Sequence, residues 1–174
     1  MLEGHEETIA DTSLLSNFAR SGHLDLLKRL FPNGVWVTEG VRKEIEKGVA
    51  KYPELQELLE TEDLWLKVVK ELEPSEERER QRLQKQYAGI RKGADAAVLA
   101  VAKVRNWVVL TDDDREGKGM VSIARQEGIK VLRSQELPEL AVRKGLISRQ
   151  KAQQIKRDIA SKARYSRILQ EPDP

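Results

Sequence analysis

Short β-branched or aromatic runs alternating with stretches of helical periodicity constrain this chain more than any other feature. The runs are Thr8-Ile9-Ala10, Val35-Trp36-Val37, Trp107-Val108-Val109-Leu110 and Ile129-Lys130-Val131-Leu132. This alternation is the pattern of βαβ units around a parallel sheet. Leu64 to Val69 is a weaker fifth run, suited to an edge element or to part of a helix.

Between the first two runs, Leu14, Leu15 and Phe18 make one apolar stripe, and Leu24, Leu26, Leu27 and Leu30 make another. Phe31-Pro32-Asn33-Gly34 then breaks the chain, so two helices are expected there. Further helices are expected over Val41 to Lys47, from Pro53 through Leu59, over Ala94 to Lys103, and from about Lys118 to Glu127. Pro74-Ser75 opens a highly charged segment in which Glu76, Glu77 and Glu79 precede Arg80, Arg82 and Lys85. Acids near the start and bases near the end suit a helix dipole, and we expect a solvent-facing helical arm at about residues 71–90. Leu137 to Lys144 and Ser148 to Arg164 are expected as a helical hairpin turning at Gly145-Leu146-Ile147.

A chain of 174 residues is long enough for one domain with its own core. The charged fraction is 34%, but Leu, Ile and Val interrupt it throughout, which argues against disorder. There is no Cys, so disulfides and a structural zinc are excluded. No apolar run approaches the ~20 residues of a membrane span, and the start MLEGHEE lacks the basic end and apolar middle of a signal peptide. A cytoplasmic protein with no membrane partner is the expectation. His5 and His23 are isolated and expected at the surface, and Trp36, Trp65 and Trp107 are expected in the core rather than stacking on bases.

The net charge of +2 hides an asymmetry. Residues 141–174 hold nine basic groups and three acidic ones, a net of +6, which leaves −4 on the rest. On the last helix Ala152, Ile155, Ile159 and Ala163 form one apolar stripe at spacings of 3, 4 and 4. Lys156, Arg157, Lys162 and Arg164 lie off that stripe, where they would either neutralise nucleic-acid phosphates or merely solvate the helix.

The acids fall in telling places. In an open α/β sheet, ligands bind outside the carboxyl ends of the strands. Asp11 follows the first strand at once, and Asp112, Asp113 and Asp114 follow the strand ending at Leu110-Thr111. Glu44 lies in the helix after the second strand, and Asp95 opens the helix of Ala94 to Lys103. Singly these residues have plain structural roles: a cap for Asp11, a dipole partner for Asp95, turn chemistry for Asp112 to Asp114, a surface charge for Glu44. Together they would repel unless a cation neutralised them. Oxygen ligands without His or Cys suit Mg²⁺ or Mn²⁺, and such ions support phosphodiester hydrolysis.

In these pieces the chain resembles the PIN-domain nucleases, especially the compact prokaryotic kind that includes VapC-type toxins. The matching segments are Ile9-Ala10-Asp11-Thr12-Ser13 with Leu14, Leu15 and Asn17, then Val41 to Ile45, Gly93 to Ala100, Val109-Leu110-Thr111-Asp112-Asp113, and Arg143-Lys144-Gly145-Leu146-Ile147. The resemblance implies a Rossmann-like three-layer α/β/α sandwich with a central parallel sheet over residues 1–147, followed by a basic C-terminal helix and tail over 148–174. It also implies a Mg²⁺- or Mn²⁺-dependent ribonuclease acting on RNA, with single-stranded DNA as a second substrate. A toxin role, a small antitoxin partner and a homodimer belong to the same implication. Carried over, Asp11, Glu44, Asp95 and Asp113 are the catalytic and metal-site acids, with Asp112 a near-equal candidate for the last position. Thr12, Ser13, Asn17, Thr111 and Arg115 would position substrate. The segment from Tyr52 to Lys92 is longer and more charged than a minimal PIN domain needs.

Two other readings compete. Thr111-Asp112-Asp113-Asp114-Arg115-Glu116-Gly117 resembles the Asp-X-Asp turn and following Arg-Glu-Gly of Toprim domains, but that pattern leaves Glu44 and Asp95 unexplained. A PIN-like fold also serves as a catalytically silent module that binds nucleic acid or protein.

Overall fold

A computed structural model describes residues 6–170 apart from Lys92. Its centre is a sheet of five parallel strands: β1 (Thr8–Ala10), β2 (Val35–Thr38), β3 (Leu66–Val69), β4 (Val108–Leu110) and β5 (Val131–Leu132). Their spatial order is β3-β2-β1-β4-β5. Ile9 pairs with Trp36 on one side of β1 and with Val109 on the other, and Val109 pairs onward with Val131. The chain thus winds outward from β1 in one direction through β2 and β3, then crosses back and continues the other way through β4 and β5. The weak run at Leu64 to Val69 supplies the edge strand β3.

Nine α-helices are found among the described residues. The first four are α1 (Thr12–Arg20), α2 (Leu24–Leu30), α3 (Glu39–Gly48) and α4 (Gln56–Glu60). They pack as one group, joined by the C-terminal hairpin of α8 (Glu136–Arg143) and α9 (Arg149–Lys162) through α2 and α1. A second group comprises α5 (Pro74–Gln86), α6 (Asp95–Arg105) and α7 (Met120–Gln126). The result is the expected three-layer α/β/α sandwich. No helix of the described residues is long and apolar enough to cross a membrane.

The helix α6 packs on the sheet through a mostly small face, with Ala96, Ala100 and Ala102 buried alongside Val98, Leu99 and Val101. Trp36 and Trp107 stack with ring centroids 5.3 Å apart, and Trp65 is buried with its indole N–H donating to the Phe31 carbonyl. All three tryptophans therefore do packing work.

The charged helix α5 differs from the expected arm. It runs along α6, with Leu83 and the whole Glu76 side chain buried. The Arg105 guanidinium donates to both Glu76 oxygens, at 2.6 and 3.0 Å. Burial works against ionising Glu76, but this fork and the Glu73 amide more than offset it and hold the carboxyl below its usual range. At the far end of α5, Glu127 accepts from Arg82, Lys103 and the Tyr87 hydroxyl, which ties α5, α6 and α7 together. Charge is dense on α5 because it packs through ion pairs. His5 lies outside the described residues, whereas His23 is buried rather than at the surface, with Nε2 2.7 Å from Asp158 of α9.

Removing one partner of a buried pair leaves an uncompensated charge. Arg105→Ala should therefore cost about 3 kcal/mol in a denaturant titration at pH 7. Because Glu76 is held below its usual range, the pair's contribution disappears on acidification, so the loss should shrink as pH falls below about 4. A loss of equal size at both pH values would show that Arg105 acts through its packing over Trp107 instead.

Candidate active site

The sheet order fixes where a ligand can sit. Connections from β1 and β4 leave in opposite directions, so a crevice opens between their carboxyl ends. Asp11 and Thr111 are the first residues beyond those ends. The Asp11 amide donates to the Leu110 carbonyl at 3.1 Å, and the Thr111 hydroxyl donates to Asp11 Oδ2 at 2.5 Å, closing the crevice floor. Asp11 caps α1 through the Leu14 amide and also accepts from the Ser13 hydroxyl. The structural role and the site position coexist in one residue.

A cleft of about 500 Å³ opens above this floor, lined by Asp11, Glu44, Asp95, Asp112 and Asp113. The carboxylates of four separate segments thus meet on one rim. Glu44 accepts from the Thr12 hydroxyl, which ties α3 to the start of α1. Asp112 is nearly buried, accepting from Asn17 Nδ2 at 2.7 Å and from both the amide and the hydroxyl of Ser134. Asp113 takes the Arg115 fork at 2.8 and 2.9 Å and accepts from the Met120 amide that opens α7. That loop is tight enough to require Gly119, where a Cβ would come within 2.5 Å of the Asp113 carbonyl oxygen.

The acids fall into an inner and an outer set. Burial pushes the Asp11 carboxyl up to about 7 against its hydrogen bonds, with Asp112 adding repulsion. Burial likewise raises Asp112. Farther out, Asp95 is pushed up to about 6 by burial and then by the charges of Asp113 and Glu44. Asp113 goes the other way: burial favours its neutral form, but the Arg115 fork and the Met120 amide hold it below its usual value. Between Asp112 and Asp113, both sequence candidates reach the cleft. Asp112 has its oxygens taken by Asn17 and Ser134, while Asp113 shares its charge with Arg115.

Of the remaining sequence candidates, Thr12, Ser13, Asn17 and Arg115 also line the cleft, and Thr111 lies beneath it. The basic residues of α9 line none of it. Lys156 is paired with Glu139 at 2.9 Å and Arg157 donates to Gln154. Lys162 lines a neighbouring groove of about 450 Å³ that shares Arg20 with the acidic cleft. Arg164 is exposed in a left-handed conformation, with φ of 55°. The stripe of Ala152, Ile155, Ile159 and Ala163 is buried, as its spacing predicts.

Beyond Ser16 of α1, two further cleft residues carry no sequence signal. Arg20, the last residue of α1, stacks 3.8 Å over the Tyr52 ring and presents a cation to the cleft. Tyr165 arrives from the turn after α9, and its hydroxyl is raised well above the usual range by burial and by Asp112 and Asp114. Neither position belongs to a periodic pattern.

Carboxylate oxygens without nitrogen or sulfur are the donors of a hard divalent cation. Among the described residues, no three acidic or imidazole groups lie close enough together to form a ready cage. The oxygen donors of the cleft fit a hard divalent cation of the Mg²⁺ type, which takes carboxylates together with waters. A family model described as a PIN domain matches residues 7–171. The chain belongs to the PIN-domain family. PIN domains are generally nucleases and typically use divalent metals. The comparison with curated proteins gives no match.

The raised Asp11 and Asp95 carboxyls make a signed prediction for the metal-free protein. A native carboxyl with pKa near 7 holds a proton that the unfolded chain has released above about 4, so stability falls as pH rises between those values. Calorimetry in EDTA should show a melting temperature that declines from pH 4 to pH 7. Asp11→Asn should flatten the decline, and millimolar Mn²⁺ at pH 7 should raise the melting temperature of the parent protein but not of the variant. Equal Mn²⁺ shifts in both proteins would remove Asp11 from the site.

Proposed function

We propose that the protein is a Mg²⁺- or Mn²⁺-dependent endoribonuclease that hydrolyses RNA phosphodiester bonds in the acidic cleft. The observation carrying this reading is the meeting of five carboxylates from four segments at the switch point of the sheet, beside two arginines. Asp11, Glu44, Asp95 and Asp113 would hold the cation, with Asp112 behind them. When bound, the cation neutralises phosphate charge and supplies an activated water.

The chain's own residues do the rest. Thr111 and Ser13 fix the orientation of the Asp11 carboxylate, and Asn17 with Ser134 fixes that of Asp112. Thr12 holds Glu44 toward the same cleft. Arg20 and Arg115 give a polyanion two positive contacts on an otherwise repulsive rim. Arg115 also shields Asp113, so an incoming phosphate competes with that carboxylate for the guanidinium.

A second reading, a catalytically silent nucleic-acid-binding module, is favoured by one observation: among the described residues, no three carboxylates already stand as a cage. One experiment separates the two. A panel of RNAs and single-stranded DNAs is incubated with Mg²⁺, Mn²⁺ or EDTA, and products are resolved on gels. The nuclease reading expects RNA cleavage that EDTA abolishes. Asp11→Asn, Asp95→Asn and Asp113→Asn, each folded by circular dichroism, should cut at least ~100-fold more slowly, a loss of ~2.7 kcal/mol in transition-state stabilisation. Binding without cleavage would favour the silent module, and undiminished cleavage by Asp95→Asn would overturn the site assignment.

A further inference from the structure

The far end of α1 gathers cations around one aromatic ring. The guanidinium of Arg20, the last residue of α1, lies 3.8 Å from the centre of the Tyr52 ring, and the Lys51 ammonium lies 5.1 Å from it. Arg164, just past the end of α9, adds a third charge. The Tyr52 hydroxyl is held below its usual range by the Lys51 ammonium and by the charges of Arg20 and Arg164. Three cations from three separate segments thus surround a half-buried tyrosine, and Lys51 and Arg164 are exposed. None of the three is in an ion pair among the described residues, whereas Arg42, Arg82, Arg105 and Arg115 each hold a carboxylate. Like charges brought together without a counter-charge repel, and an anion set among them would relieve the repulsion.

This ledge is continuous with the acidic cleft. Arg20 lines the cleft, and so does Tyr165, the residue after Arg164. The helix α1 sets the spacing: Thr12 opens it beside Asp11, and Arg20 is eight residues on, about 12 Å along the axis. That is farther than one phosphate group spans, so the two ends of α1 address different phosphates of a bound strand. The neighbouring groove, which shares Arg20, is lined by Glu54, Glu57 and Glu60 as well as Lys162. Those carboxylates repel a polyanion from the groove and keep it on the ledge. A guanidinium held over a ring is fixed in place with its N–H donors still free to fork onto phosphate oxygens.

We propose that Arg20 on Tyr52, flanked by Lys51 and Arg164, is a second phosphate-binding site, which holds a single strand of nucleic acid along α1, beyond the nucleotide seated in the acidic cleft. The inference rests on the nuclease reading of that cleft. Cations interleaved with an aromatic ring are the combination that grips single strands, whose backbone is tracked by charge and whose unpaired bases stack on rings and guanidinium planes. The consequence is a length requirement. A strand that reaches from Thr12 to Arg20 gains these contacts, and a shorter one does not.

Labelled uridine oligomers of two and eight nucleotides, titrated against the full chain in EDTA by fluorescence anisotropy at several salt concentrations, test this. The octamer should bind at least about tenfold more tightly than the dimer. Lys51→Gln combined with Arg164→Gln should weaken the octamer, with a salt slope shallower by ~0.7 for each lost contact, and leave the dimer unchanged. Tyr52→Leu keeps every charge and should weaken the octamer about fivefold, while Tyr52→Phe keeps the ring and should bind as the parent does, both with the parent's circular dichroism. Octamer binding indifferent to these variants, or octamer and dimer weakened alike, would overturn the site. Inorganic phosphate at constant ionic strength and a glutamate octapeptide should each fail to displace the octamer. Displacement by either would give the cations to a free anion or to an acidic protein segment, and would overturn the strand. Cleavage of the same oligomers in Mn²⁺ separates this site from the reading it rests on: the double variant should raise KM for the octamer and keep kcat. Length-dependent binding without cleavage keeps the second site and overturns the nuclease reading. Cleavage with an octamer KM unchanged in the variants overturns the second site and leaves the nuclease reading standing.

Discussion

The hydrogen bond from Thr111 to Asp11 joins the ends of the two central strands, and the rest of the site is arranged around it. β1 and β4 are the pair from which the chain departs in opposite directions, so their ends alone border an open crevice. The Thr111 hydroxyl is fully buried, and with the Leu110 carbonyl it fixes Asp11 at the crevice floor. Asp11 in turn starts α1, whose later residues Asn17 and Arg20 bring an amide and a guanidinium to the same opening. A displaced Asp11 would thus disturb a strand end, a helix start and the cleft wall together.

The electrostatics of the cleft follow from short strands. With three residues in β1 and in β4, the acids just beyond them are still partly inside the protein, where carboxylates resist ionisation. The protein manages this unevenly. Asp113 is discharged by Arg115 and a helix amide, Asp112 is saturated by neutral donors, and Asp11 and Asp95 are left with raised affinity for protons. A group that holds a proton too tightly is also one on which a cation gains most by replacing it.

Much of this architecture was legible because it depends on local chemistry. β-Branched runs marked the strands, and the acids marked the carboxyl ends of two of them. The stripe of Ala152, Ile155, Ile159 and Ala163 marked the buried face of α9. What the sequence hid depends on how elements turn against each other. The charges of α5 gave no hint that Glu76 would be drawn wholly inside by Arg105, twenty-nine residues later. The bases of α9 were visible, but their direction was set by how that stripe docks, which turned Lys156 toward Glu139 and away from the cleft. Tyr165 reaches the cleft through a left-handed Arg164, a conformation with no marker when the residue is not glycine.

The cleft draws its walls from segments far apart in the described chain, with Asp11 at one side and Tyr165 at the other. During synthesis the first of these leaves the ribosome long before the second exists. The acids after β1 and the helices around them must therefore wait, incomplete, while the sheet is added strand by strand and the last helix closes over α1. A centre whose walls come from segments so far apart in the chain is complete only once the whole sheet and α9 are in place.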